Sequence, residues 1–424
     1  MLREEMKKIW RPGMIAVLVL LGFVYYTMFL EFHIRYFPNG PQNAGLFTVA
    51  AELVKESGTR MTGEVRQRLE QKLPELYAEA DAYVADFAFT KQYGLATYEA
   101  YTKFYQNAME GVAESQAADQ NAMYADAMRL NAYLTSEATG NIEGRIRGTE
   151  SYLRRYDVVA GEEKERKIFT GNSETNGIQD LKYLLKEDGK PSQEYLHAAK
   201  TFYGEDEAWR NILPAQVPET TSNYLGRLLV WQCLSIGILL SPLLVRDRMS
   251  RMRALQWSSR AGRGIFTVQL KAALLSALLM NLLNLALFGG LFLSRGVSVF
   301  FPCGMFSFMD TPFCWPNWTY GTWCLALVFL GLLASMGVAA AVFFLSRYSS
   351  HYIGMLLKLI PVVVAVAVFC PKLLGYAFYF NNPLYALVPL PYVEAAIAIV
   401  IFLTGLGLCA GAVKKQGRME LLEE

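Results

Sequence analysis

Histidine is nearly missing from this 424-residue chain: there are three, scattered at 33, 197 and 351, which argues against a His-based metal or catalytic cluster. Cysteine is sparse as well. None of the six (Cys233, Cys303, Cys314, Cys324, Cys370, Cys409) falls in the long polar segment 31–224, so that segment is not a disulfide-stapled secreted domain. No Cys/His spacing resembles a zinc site. Cys303 and Cys314 share one short loop, where they form either a bridge or two free thiols. The phosphate-cradling G-x-x-x-x-G-K-[ST] is absent, and so are G-x-S-x-G and H-E-x-x-H. The chain therefore carries no P-loop of its own and none of these hydrolase signatures. No internal repeat, inverted repeat or low-complexity tract is visible.

Long apolar runs are abundant. Hydrophobic residues make up 53% of the chain, and six stretches approach the ~20 residues that cross a bilayer as a helix. They lie at about Met14–Leu30, Tyr224–Val245, Val268–Leu293, Thr322–Leu345, Tyr352–Tyr376 and Pro391–Val413. Aromatic rings crowd their ends (Tyr224, Trp315, Trp318, Trp323, Tyr376, Tyr392), at the depth of the headgroups. The first run follows a basic start, "MLREEMKKIWRPG". It is longer than a signal-peptide core and lacks a small-residue cleavage site, so it reads as an uncleaved anchor.

Charge is split along the chain. Residues 31–224 hold 30 acids and 21 Lys/Arg, a net −9, and the remainder is +11. Four basic residues precede the first run and three follow the last. The loop "VRDRMSRMRALQWSSRAGRGIFTVQLK" carries six arginines and a lysine against one acid. Short basic loops stay in the cytoplasm, whereas long domains cross largely regardless of charge. Both termini and 246–271 are thus expected inside and 31–224 outside, with the charge-poor loops near 295–320 and 377–390 also outside. The last two loops hold Arg295 and no basic residue, respectively.

Within 31–224 the period is helical. Val65, Leu69, Leu73, Leu76, Ala80, Tyr83 and Phe87 recur at steps of three and four, as one helix or as two broken at Pro74. Tyr98–Val112 and Met123–Leu134 form further runs. "IQDLKYLLKED" and "PSQEYLHAAKTFYG" read as short helices. The aromatic stripes at this spacing suit a core better than a ligand groove. The outer loop "PCGMFSFMDTPFCWPNWTYG" is expected to lie partly in the membrane interface.

Charge is almost absent from the centres of the apolar runs, which argues against a membrane-embedded enzyme. Asn281 and Asn284 share a helix face and suit bonds to a neighbouring helix more than a substrate contact. Glu394, near one end of the last run, is either part of a substrate path or an interfacial carboxylate reaching water beside Tyr392; the second is the simpler reading. Gly407 and Gly411 form a GxxxG, and Gly331, Ser335 and Ala339 a small-residue stripe. Both permit close helix contact, within a chain or between two. Arg246 to Arg260 contains neither Pro nor Gly, so a helix of about 14 residues is expected there. Positive-inside topology explains its arginines. It does not explain Met252, Leu255 and Trp257 among them, a mixture that suits docking into a protein groove.

These features together resemble the ABC-2 type permease family, the membrane subunits of ATP-driven exporters. The basic start "LREEMKKIWRP" resembles that family's elbow helix. One span and a large outside insertion precede the second span. A cytoplasmic stretch then begins at Asp247 and ends at Lys271, and "NNPLYALVP" precedes the last span. The likeness covers the spans and both cytoplasmic elements but not 31–224. The loop carries Arg and Ser where the family often has Glu, Gly and Pro. The resemblance implies that the stretch after the second span docks on a separate ATPase. Met252, Leu255 and Trp257 would insert in its groove, Arg248, Arg251 and Arg253 would pair acids at the rim, and Asp247 would open the stretch.

The expected fold is an all-α polytopic membrane protein of six transmembrane helices. A large, mostly α extracytoplasmic domain is inserted between helices 1 and 2. Its divisions are an elbow and first span (1–31), the extracytoplasmic domain (32–223), five spans with the coupling loop 246–271 (224–413), and a cytoplasmic tail (414–424). The expected role is the permease subunit of an exporter in the cell membrane of a bacterium, not an enzyme and without a cofactor. Its partners would be an ABC ATPase, a second permease subunit and the bilayer, with no nucleic acid. The substrate would be a lipophilic molecule, a peptide or a drug. The alternative is a membrane sensor or scaffold whose outside domain binds a ligand or partner.

Overall fold

The computed structural model describes residues 1–87, 89–114, 118–160, 197, 201, 208–252, 262–309, 314–380, 382–388 and 390–418. Among the described residues the regular structure is helical, and β pairing is confined to two isolated bridges, Arg60 with Asn211 and Gly304 with Thr319. The helices are α1 (Leu2–Ile9), α2 (Pro12–Arg35), α3 (Pro41–Ser57), α4 (Gly63–Asp86), α5 (Tyr98–Glu114), α6 (Ala118–Leu134), α7 (Ile142–Ala160), α8 (Gln216–Leu240), α9 (Pro242–Met249), α10 (Ile265–Leu293), α11 (Tyr320–Arg347), α12 (Tyr352–Leu374), α13 (Pro383–Leu387) and α14 (Val393–Arg418).

Six of these elements are long and apolar enough to cross a membrane: α2, α8 with α9, α10, α11, α12 and α14. The protein is a multi-pass membrane protein. It divides into two compact units, one of Met1–Arg35, Glu219–Val297 and Gly321–Glu424, the other of Tyr36–Pro218 and Ser298–Tyr320.

The first unit holds the spans. Its core is built where small side chains let helices close: Ala272, Ala273 and Ala277 of α10 and Ala339 and Ala340 of α11, filled by Leu239, Leu243 and Phe343. The tightest crossing is α11 on α14. A Cβ on Gly405 would stand 2.5 Å from the Gly337 carbonyl oxygen, and one on Gly337 would stand 2.7 Å from that of Ile401. Gly407 and Gly411, by contrast, have nothing within 4 Å of an added Cβ. Leucines and valines such as Leu282, Leu357, Val364 and Leu403 cover the outward faces, as suits a hydrocarbon solvent. Two spans carry a single π-helical turn, Tyr26–Leu30 in α2 and Leu285–Gly289 in α10.

In the second unit α3 and α7 cross at a glycine pair: a Cβ on Gly45 would lie 2.0 Å from the backbone of Gly144, so only glycine permits this approach. A second core joins Leu76, Ala80 and Val84 of α4, Tyr98 and Tyr101 of α5, Leu130 and Leu134 of α6, and Ile142 and Ile146 of α7. Glu143 is buried there, 2.5 Å from Arg147 Nε, and accepts from the Tyr98 hydroxyl. Burial and that carboxylate both hold the Tyr98 hydroxyl far above the ordinary tyrosine range.

Two alternatives left open by the sequence are decided, and one expectation is corrected. The helix α4 runs unbroken through Pro74, because buried Leu69 and Leu76 anchor it on both sides. The loop 298–320 is not interfacial padding: Phe300, Met305, Phe306 and Phe308 are buried, and Phe308 packs on Tyr152 and Tyr156 of the second unit. Cys303 and Cys314 are both buried and are not joined in a disulfide. The two short helices expected within 178–204 lie outside the described residues, apart from 197 and 201.

Candidate functional site

Helix α1 begins with two acids, Glu4 and Glu5, in its first turn and ends with Lys7 and Lys8, a charge order that suits the helix dipole. Its apolar side, Met6, Ile9 and Trp10, packs on the core of the first unit. That docking carries Glu5 inward until it is buried.

Glu5 meets two other buried polar residues. The Gln269 side-chain amide, at the start of α10, donates to Glu5 Oε2 at 3.3 Å and to Asp247 Oδ2 at 2.8 Å. Lys8 Nζ closes the group at 2.7 Å from Glu5 and 3.5 Å from Asp247. Arg246 donates to the Lys8 carbonyl oxygen at 3.2 Å. Two carboxylates buried together repel unless cations and donors surround them. Here Lys8 and the Gln269 amide are those partners. One polar cluster thus ties α1, the end of the second span and the start of the third. Beside it, the indole of Trp10 donates to Ser276 Oγ at 3.1 Å and pins the turn between α1 and α2 to α10.

Asp247, expected to open the docking stretch, is buried, and its carboxylate faces Gln269 and Lys8. Helix α9 stops at Met249, and Arg251 takes a left-handed backbone with φ 54°, so no single helix runs on from Arg246. Arg248 is half-buried, while Met249, Arg251 and Met252 are exposed. Arg253, Leu255 and Trp257 lie outside the described residues.

The intramembrane polar residues are spread over the first unit. Trp231 Nε1 donates to Asn284 Oδ1 at 3.0 Å, and Asn284 Nδ2 donates to Ser235 Oγ at 3.0 Å, joining α10 to α8. Asn281 Nδ2 donates to Ser335 Oγ at 2.8 Å, joining α10 to α11. Glu394 is fully buried, contrary to an interfacial carboxylate reaching water. Its Oε1 accepts from the Phe378 backbone N–H at 3.2 Å and from the Asn382 side chain, while Oε2 has no hydrogen-bond partner. Asn382 in turn caps α13 by accepting from Leu384 N at 2.8 Å. Glu394 thus organises the turn between α12 and α14, in which Tyr376, Phe378 and Tyr392 all have positive φ.

Between α2 and α10 a lateral groove of about 380 Å³ opens, walled by Phe23, Leu283 and Leu287 and backed by Trp231. Gly22 makes room for it, since a Cβ there would stand 3.1 Å from the Trp231 ring. Sequence reasoning missed both the polar cluster and the groove. Gln269 in an otherwise apolar run, and Gly22 in another, were the available signals.

The chain matches no family model, no curated protein and no solved structure.

Proposed function

We propose that the protein is the permease subunit of an ATP-binding cassette exporter, with both termini in the cytoplasm of a bacterium. It would pair with a separate ATPase and a second permease subunit and move a lipophilic molecule, peptide or drug outward. The observation that carries this reading is the polar cluster of Glu5, Lys8, Asp247 and Gln269, which joins three elements at the root of the arginine-rich loop. A force applied to that loop reaches the second and third spans and α1 together, as an ATP-driven stroke requires. In this reading Asp247 positions the loop and does not touch the ATPase. Contact falls to Met249, Arg251 and Met252, which are exposed, and to Arg253, Leu255 and Trp257 beyond them.

The test is co-purification of a P-loop ATPase with the full chain, at matched membrane level. Trp257→Ala should cost about 2 kcal/mol or more of complex stability as an interface anchor. Single Arg→Ala changes at the rim should cost less and lose their effect in salt. Full retention of the ATPase by Trp257→Ala combined with Met252→Asp would reject the docking role.

A further inference from the structure

The groove between α2 and α10 has a chemistry of its own. The hydrogen-bonding groups of its indole and amide walls are already engaged. The Trp231 indole bonds Asn284, the Asn284 amide bonds Ser235, and the Trp10 indole at one end bonds Ser276. The remaining lining is mainly leucine, valine and phenylalanine, together with Gly22 and Tyr26. An occupant finds close packing there and little else. A π-helical turn stands on each side of it, Tyr26–Leu30 and Leu285–Gly289, and Tyr26 and Phe288 stack across it with centroids 6.1 Å apart. A local π turn widens a helix and often marks a functional place.

The end closed by Trp10 is cationic. Arg11 follows it in sequence and is exposed. Arg246 is half-buried, and its guanidinium donates to the Lys8 carbonyl oxygen at 3.2 Å, two residues before Trp10 of the groove lining. The nearby acids Glu5 and Asp247 are already held by Lys8 and Gln269.

We propose that this groove is a binding site for one acyl chain of an anionic phospholipid, taken from the leaflet on the side of α1, with its phosphate at Arg11 and Arg246. Chemistry narrows the occupant. An acyl chain leaving bulk lipid for the groove exchanges one apolar surrounding for another, so the transfer has little hydrophobic driving force. Dispersion contacts in a preformed cleft add a small amount. Selectivity must come from the head, and two arginines at a membrane surface favour an anionic head over a zwitterionic one by roughly tenfold to thirtyfold. A second copy of the chain suits the site less well. The cleft is concave, and the buried acids beside Arg246 and Lys8 face inward. The groove needs no ATPase partner to be filled.

The experiment uses the full chain in nanodiscs of phosphatidylcholine with a minor share of phosphatidylglycerol. A photoreactive diazirine is carried on the acyl chain of one lipid or the other, and crosslinked peptides are mapped by mass spectrometry. The expected result is labelling of Phe23, Leu283 and Leu287 about tenfold stronger with the phosphatidylglycerol probe. Leu356 and Val364 on the exposed face of α12 should show no such preference. Arg11→Gln should cut the preference to about threefold to fivefold and leave the chain labelling in place. Leu283→Trp, a change at a half-exposed wall that leaves the core intact, should remove the groove labelling altogether. Equal labelling by both probes at every outward leucine would mean annular lipid only and would overturn the proposal. So would protein–protein crosslinks through Leu283 in place of lipid adducts.

Discussion

At the scale of single residues, the informative ones are polar groups hidden where the sequence offers little company. Glu394 is the clearest. Its Oε1 satisfies the Phe378 N–H and the Asn382 amide, and through Asn382 it supports the cap of α13. Glu394→Ala removes the acceptor, orphans two buried donors, and should cost about 1–3 kcal/mol. Glu394→Gln keeps an acceptor oxygen in place and should cost much less. Thermal unfolding in detergent distinguishes the two, and an equally large loss for Glu394→Gln would mean that the charge itself is used. Cys303 makes a second test at this scale. Burial pushes its thiol up to about 12, while an exposed thiol sits near 8.5. Above pH ~8.5 the unfolded chain releases that proton and the folded chain keeps it. Stability should therefore fall as pH rises through that window. At pH 9 iodoacetamide should leave Cys303 unmodified in the native protein and alkylate it after denaturation. Native labelling at the rate of a free thiol would contradict the buried site.

At the scale of elements, the loop 298–320 changes the account of the second unit. Phe308 packs edge-on against Tyr152 and Tyr156, and its N–H donates to the Trp209 carbonyl at 2.9 Å. Ser307 and Gly304 bond Asn211 in the same region. Phe308→Ala should cost about 3–5 kcal/mol, as for a large core side chain. Limited proteolysis should then cut within 36–218 sooner than in the wild type, and unchanged protection would show the loop to be peripheral. The six spans were legible because a run of apolar residues is a local signal, readable without knowing any partner. The helices at 98–114 and 118–134 were legible by their period for the same reason. What stayed hidden depends on distant partners. The continuity of α4 through Pro74 comes from its neighbours. The aromatics of 298–320 read as interfacial because nothing local says that Tyr152 covers Phe308. Asp247 reads as a surface acid among arginines, and its burial follows only once Gln269 and Lys8, far away in sequence, are seen beside it.

At the scale of the whole molecule, charge asymmetry makes the strongest demand. The first unit includes the four basic residues at the start, the arginine-rich loop and the basic tail, while the second carries the acid-rich segment. Six spans form an even number, so the two termini must lie on one side if every span crosses once. The polar cluster adds an independent constraint. Helix α1 touches both Arg246 and Gln269, so the start of the chain and both ends of the arginine-rich loop share a single membrane surface. Lys/Arg bias then selects which surface, since each such loop resists translocation. The expected outcome is an inside location for reporters fused at the C-terminus, and an outside location for one placed in the exposed Gly94 turn. Alkaline phosphatase should be active only at Gly94, and a cytoplasmic fluorescent reporter only at the C-terminus. Neutralising Arg3, Lys7 and Arg11 while sparing Lys8, the cluster's cation, tests the cause. If the charges at the start of the chain set its orientation, a fraction should invert. If the seven basic residues of the second loop dominate, orientation should hold. Matching locations for the two wild-type reporters would reject the six-span topology, and with it the placement of the arginine-rich loop beside any cytoplasmic ATPase.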